Sequence, residues 1–307
     1  MNICDVPGIR VGHATHPDQA TGCTVILPDQ AAVAGVSICG GAPGTRETEL
    51  LRPGFLVSRI HGIMLTGGSA FGLRTADGAM QYLAERGIGF AAQGFSVPIV
   101  PGAVIFDLAE GRSITQPDAR MGYLACQNAG DTLKEGLVGA GRGATVGKLW
   151  GRECSMPGGI GSAAVRLHDR VVIGALAVVN AFGDIVEGGD EDIVAGLRNP
   201  GKSDFAGTMR QLQAKPLADW ISGGNTVLVA VATNAALTVE QCNRLAQTAQ
   251  NGIARAVRPA HSMFDGDVVF ALSCGEENAD LSTVGELAAQ VTAQAIIRAV
   301  KVSNGLD

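Results

Sequence analysis

The chain has 307 residues, 46% hydrophobic and 17% charged, enough apolar material for one large core. Its formal charge is −6 and no Lys/Arg cluster stands out, which argues against a nucleic-acid partner. There is no apolar run of about 18 residues, and Met1–Arg10 lacks a basic segment followed by an apolar one. A cytoplasmic protein without a membrane span is therefore expected. The seven cysteines are scattered with no CxxC spacing, which fits reduced thiols.

In chain order, Val33–Cys39 and Ile63–Thr66 read as short buried strands. Ser69–Arg86 has helical spacing on Phe71, Ala76, Met80 and Leu83, after a Gly67-Gly68 start. Val97–Leu108 is apolar but broken by Pro98, Pro101 and Gly102, so a bend followed by a strand is expected. Leu137–Gly147 reads as a glycine-rich loop. Ala163–Leu167, Val171–Asn180 and Ile185–Glu187 read as successive antiparallel strands, with turns at His168-Asp169 and Gly183-Asp184. Asn199–Asp219, with Pro200 and Pro216, reads as a mobile connector leading to Gly223-Gly224. A strand over 226–233 follows. Thr238-Val239-Glu240-Gln241 is a capping box for a helix to about Val257. A strand is expected at Asp267–Ser273, and a last helix from Thr283-Val284-Gly285-Glu286 to about Val302. Buried strands with amphipathic helices at the edges predict sheets sandwiched between helices in a single domain, 1–307.

The chemistry concentrates at Gly223-Gly224-Asn225-Thr226. A turn loosened by glycine delivers an Asn-Thr peptide bond to the start of an apolar strand. Thr226 could attack the carbonyl of Asn225 and cut the chain into 1–225 and 226–307. The new N-terminal threonine would then carry a nucleophile and its own base, the α-amine. The alternative is an ordinary turn entering a strand.

Four other residues join the candidate site. Asp265 and Asp267 flank Gly266, so on an extended chain both carboxylates face one side and converge. An Asp-Gly turn is the competing reading. Lys148 closes a glycine-rich run, but the spacing fails for a phosphate loop and Leu149 stands where Mg²⁺ would need Ser or Thr. Lys148 reads either as a solvated surface lysine or as a buried catalytic one. Asn180 ends an apolar strand and reads either as a turn residue or as an oxyanion donor. His13 and His16 have no Cys, Asp or Glu cluster beside them, so no metal is expected. Ser69 lacks the Gly-x-Ser-x-Gly frame.

The motifs together carry a resemblance that spans nearly the whole chain. They are Asp5–His13, Thr21–Val25, Gly40–Thr48, Leu65–Leu73, Val100–Asp107, Gly143–Lys148 and Gly224-Asn225-Thr226. In this order they resemble the P1-family (S58) peptidases, which include L-aminopeptidase/D-esterases, β-peptidyl aminopeptidases and nylon-oligomer hydrolases. The resemblance implies a four-layer αββα sandwich like that of N-terminal-nucleophile hydrolases. It also implies self-cleavage between Asn225 and Thr226, both pieces remaining associated in a homotetramer, and no cofactor.

By the same resemblance Thr226 is the nucleophile, Asn180 the oxyanion-side asparagine, Lys148 the lysine beside the nucleophile, and Asp265 with Asp267 the acidic pair. Phe106 stands where some members place a tyrosine hydroxyl, which a phenyl ring cannot replace as a donor. The expected activity is an aminopeptidase on short peptides, amino-acid amides or esters. The alternatives are an acyltransferase like the ornithine acetyltransferases and a non-catalytic binding protein on the same scaffold.

Overall fold

The computed structural model describes residues 1–108, 116–189, 192–214 and 224–306. Two sheets face each other. The first runs in the order β1 (Ile9–Thr15), β2 (Gly22–Pro28), β6 (Ile63–Thr66), β7 (Gly102–Val104), β4 (Thr45–Arg46). The second runs β8 (Gly159–Leu167), β9 (Val171–Asn180), β10 (Thr226–Ala235), β11 (Val268–Glu277), β3 (Ala32–Ile38), β5 (Arg59–Ile60). Helices α1 (Thr75–Ala84) and α2 (Ala119–Gln127) cover the outer face of the first sheet. Helices α4 (Val239–Ala256) and α5 (Leu281–Asn304) cover that of the second. A seven-residue helix, α3 (Thr208–Ala214), precedes residues 215–223. The result is the αββα sandwich.

Side-chain alternation explains why β10 is apolar throughout. Leu228, Ala230 and Ala232 point into the layer between the sheets, with Leu176, Val178 and Phe270. Val227, Val229 and Val231 point the other way, against Leu245, Ile253 and Ile296 of the helices. A central strand covered on both faces has no solvent side to carry polar residues. The helices come close because glycine stands beneath them: a Cβ on Gly35 of β3 would lie 2.3 Å from the Asn243 nitrogen of α4.

The capping box forms as expected, with both halves present at Thr238 and Gln241. The β8–β9 hairpin also forms: Leu167 pairs with Val171, and His168 and Asp169, both at positive φ, are the central residues of a turn closed by the Arg170 N–H on the Leu167 carbonyl. Three expectations change. The helix expected over 69–86 starts with a 3-10 stretch at Ser69–Arg74 before α1. The strand near Ile185 leaves the β8–β9 sheet: Asp184–Val186 pairs instead with Ile193–Ala195 and Val257–Arg258. The last helix begins at Leu281, because Asp280 rather than Thr283 is the cap and accepts the Thr283 N–H at 2.8 Å. The connector expected over 199–219 contains α3, and the part of it after Ala214, with Gly223, lies outside the described residues.

Candidate active site

The site lies where three strands of the second sheet end together. Asn180, the last residue of β9, stands directly opposite Thr226, the first of β10. β11 runs parallel to β10, and the segment just ahead of it bridges Asn225 with Asp265. Residues from distant parts of the sequence are thereby brought together at one end of the sheet.

Thr226 is 4% exposed. It lies on the inter-sheet face of β10, and its hydroxyl donates to the carbonyl oxygen of Asn225. The same carbonyl accepts the Gly266 N–H at 2.8 Å. A Cβ on Gly266 would sit 2.8 Å from Thr226 Oγ1, so a glycine allows the loop to press its N–H onto the carbonyl. The Asn-Thr carbonyl thus has a hydroxyl and a fixed main-chain donor on it at once.

Lys148 is half-buried, with its ammonium turned inward onto main-chain and amide oxygens. Its Nζ donates to Asn180 Oδ1 at 2.8 Å, to the Asn180 carbonyl at 2.9 Å and to the Gly224 carbonyl at 3.2 Å. Burial pushes its pKa down to about 7, against the pull of Asp265, with Arg152 pushing the same way as burial. The Asn180 side chain is fixed by the Thr145 N–H on Oδ1 at 3.1 Å. Its Nδ2 donates to the Phe106 carbonyl at 3.1 Å and the Gly224 carbonyl at 3.2 Å. Asn180 therefore addresses the carbonyl one residue upstream of the Asn-Thr bond, and Gly266 addresses the bond itself.

The two carboxylates converge as their spacing predicts, but each has its own holder. Asp265 Oδ2 accepts the Ser262 N–H at 2.9 Å and the Ser262 hydroxyl at 2.5 Å. Burial, then the charge of Asp267, raises its pKa. Asp267 Oδ1 accepts the Val227 N–H at 2.7 Å, which ties it to the residue after Thr226. Its Oδ2 accepts the His261 N–H at 3.1 Å and lies 2.8 Å from His261 Nδ1. Sequence reasoning missed Gly266, Ser262 and His261. The only signal was their place next to the acidic pair, since none forms a motif alone.

Beside Lys148 a cavity of about 160 Å³ opens, walled by Phe106, Asp107, Thr145, Arg152 and Gly224. Larger hollows lie at the far ends of the strands, around His168 and Glu277 and around Leu237 and Cys274. The cavity at Lys148, walled by Gly224, lies beside the Asn-Thr bond. Gly224 has φ +93°, and a Cβ there would come within 2.5 Å of the Phe106 ring. Phe106 thus acts as a wall, and its carbonyl, not its side chain, joins the hydrogen-bond network. His13 and His16 share no ligand set: His13 Nδ1 meets the Thr24 hydroxyl, and His16 Nδ1 accepts the N–H groups of Asp18 and Gln19.

The sequence profile of peptidase family S58 matches residues 1–306. The chain belongs to peptidase family S58. An uncharacterised aminopeptidase of Mycobacterium leprae is 42% identical over 297 residues, covering 89% of this chain and 78% of the relative. A 6-aminohexanoate-oligomer endohydrolase of Kocuria is 30% identical over 321 residues, covering 97% and 85%. Among solved structures, the L-aminopeptidase D-Ala-esterase/amidase of Ochrobactrum anthropi superimposes with a TM-score of 0.71 at 20% identity, covering 97% of this chain and 85% of its own. That structure is described as a variant of the Ntn hydrolase fold. This S58 chain shares its architecture and is a hydrolase.

Proposed function

We propose that this S58 peptidase is a self-processing aminopeptidase that uses Thr226 as an N-terminal nucleophile. One observation carries the reading: the Thr226 hydroxyl and the Gly266 N–H meet on the Asn225 carbonyl. Thr226 Oγ attacks that carbonyl carbon while Gly266 N–H steadies the developing oxyanion. The C–N bond breaks as the hydroxyl proton passes to the Thr226 nitrogen. Water then hydrolyses the ester between Asn225 and Thr226 Oγ, leaving a carboxylate on Asn225 and a free α-amine on Thr226.

Cleavage also clears the site. Lys148 Nζ and Asn180 Nδ2 both hold the Gly224 carbonyl in the uncut chain. Once Gly224-Asn225 is a free chain end it can leave, and both donors turn to the acyl carbonyl of a substrate. Thr226 Oγ attacks that carbonyl and the α-amine takes its proton, later giving it to the departing amine. Water releases the acyl group. Phe106 supplies no hydroxyl, so Asn180, Lys148 and Gly266 carry the stabilisation of the oxyanion. The substrate class is a short peptide, amino-acid amide or ester, supported by the aminopeptidase named among the relatives. The match to a peptidase family ranks hydrolysis above acyl transfer to an amine and above a non-catalytic scaffold. We assign the cut chains to a homotetramer, which native mass spectrometry reads directly.

Intact-mass spectrometry of the purified protein tests the assignment. Two pieces are expected, ending at Asn225 and starting at Thr226, with aminoacyl p-nitroanilide hydrolysis in the cut form. Thr226→Ala should give one 31.4 kDa chain and lose activity at least about a thousandfold. A Thr226→Ala protein that remains active would overturn it.

A further inference from the structure

His261 is the one imidazole at the site, and no motif or role yet accounts for it. It lies in the loop between Val257–Arg258 and β11, six residues before Asp267. Its φ is +57°, a left-handed conformation that costs a branched or bulky residue free energy and that glycine or asparagine takes more easily. The strained backbone has a visible result. The successive N–H groups of His261 and Ser262 each reach a different carboxylate of the pair, Asp267 and Asp265.

The side chains repeat the pattern. The Ser262 hydroxyl binds Asp265, and the His261 ring binds Asp267. Asp267 is left with both oxygens committed, Oδ2 to His261 and Oδ1 to the N–H of Val227. Through Val227 it is tied to the residue that follows the nucleophile. The ring is mostly buried, 23% of its side-chain surface remaining exposed.

We propose that His261 is a positioning residue that clamps Asp267 against the N-terminal threonine and offsets its negative charge there. The inference rests on Thr226 being the nucleophile. Burial alone would lower the His261 pKa, but the hydrogen bond and charge of Asp267 outweigh it. The Gln250 backbone of α4 and the charge of Asp265 add to the raise. The charged groups facing the ring are thus Asp267 and Asp265. The groups that act on the Thr226 α-amine are these two and Lys148, which is itself depressed by burial.

The consequence has a definite sign. A carboxylate beside the α-amine favours the ammonium and so raises the pH at which the amine becomes a base. An imidazolium on the carboxylate's far side counteracts this. Removing the imidazole charge therefore moves the acid limb of kcat/KM to higher pH. His261→Asn keeps an N–H donor in about the place of Nδ1 and tolerates positive φ, but cannot titrate. His261→Ala loses both donor and charge.

The test compares the two variants with the wild type on an aminoacyl p-nitroanilide and on p-nitrophenyl acetate, after intact mass has confirmed that each is cut at Asn225-Thr226. The acetate reports the nucleophile whatever the peptide specificity, so loss of the anilide alone speaks against the aminopeptidase reading and leaves the His261 result standing. The proposal expects His261→Ala to lose at least about tenfold in kcat with KM within about twofold. It expects His261→Asn to recover most of that kcat while its acid limb moves upward. The proposal is overturned if cut His261→Ala keeps its kcat, if the acid limb stays where the wild type has it, or if the wild type turns over neither substrate. A variant that fails to fold in alanine form leaves the decision to His261→Asn and its pH profile.

Discussion

Asp184 and Asp267 are both buried carboxylates that accept main-chain N–H groups, and they do opposite things. Asp184 takes the Leu197 N–H at 2.7 Å, the Thr208 N–H at 2.5 Å and the Thr208 hydroxyl at 2.8 Å. All its partners are uncharged. Burial raises its pKa against those three donors. It pins the start of α3 to the small sheet, well satisfied and with no nucleophile in its network. Asp267 sits among a second carboxylate, a histidine, a half-buried lysine and a hydroxyl on the Asn225 carbonyl oxygen. The difference teaches that burial and donors alone mark a structural carboxylate. Several titratable groups pushed in opposite directions around one peptide bond mark a candidate for chemistry.

After the nucleophile itself, the largest expected effect breaks the chemical network at Lys148. Lys148→Met should lower kcat/KM on aminoacyl p-nitroanilide by about 100- to 1000-fold, the scale of one lost oxyanion-side donor. The same change has a stability signature, best read in the uncleavable Thr226→Ala background. With its pKa near 7 in the folded chain, Lys148 is neutral there while the unfolded chain still holds the proton, up to the ordinary lysine range. The folded state then binds fewer protons, so stability gains a rising slope with pH above about 7. The difference in Tm between chains with and without the Lys148→Met change, followed from pH 6 to pH 9 in about half-unit steps, should show that slope vanish in K148M. An unchanged difference across this range would mean that Lys148 is not desolvated.

A smaller effect is expected at Gly266. A Cβ there meets Thr226 Oγ1 and the Ala42 carbonyl, both at 2.8 Å, and must shift the loop off the Asn225 carbonyl. A misplacement of that kind costs on the order of 100-fold in rate. Pulse-chase conversion of the precursor should slow accordingly in Gly266→Ala, with the fold intact by circular dichroism. Conversion at the wild-type rate would remove Gly266 from the cleavage step.

The smallest effect on chemistry sharpens the comparison from the other side. Asp184→Ala strands two buried N–H groups and a hydroxyl, at about 1–3 kcal/mol. Tm should fall by several degrees, while kcat per cut molecule stays within about twofold of wild type. A large fall in kcat would mean that the Asp184 cluster and the site are coupled through α3 and the strand that follows it.

Much of the site was legible in the chain because local rules bear on it. Alternation on an extended segment put Asp265 and Asp267 on one side, and glycines around Asn225-Thr226 marked a bond in unusual surroundings. The family resemblance tied Lys148 and Asn180 to them. What stayed hidden were interactions with no sequence periodicity. Gly266 contributes a backbone N–H, which every residue but proline has. His261 and Ser262 contribute through a left-handed turn that leaves no mark beyond an ordinary-looking loop. Lys148 remained open between surface and interior, since a single lysine among apolar neighbours reads the same in both.

The sequence by itself determined the sandwich and singled out the Asn225-Thr226 bond as the candidate for chemistry. Two-residue alternation and helical spacing follow from backbone geometry, and they dictate which faces are buried before any tertiary contact forms. Tertiary structure alone decided which groups meet at that bond. The register of β9 on β10 sets Asn180 against Thr226, and the parallel pairing of β10 with β11 brings up a loop from 40 residues downstream. Such pairings are fixed by the packing of both sheet faces at once, a condition that no local stretch of sequence contains.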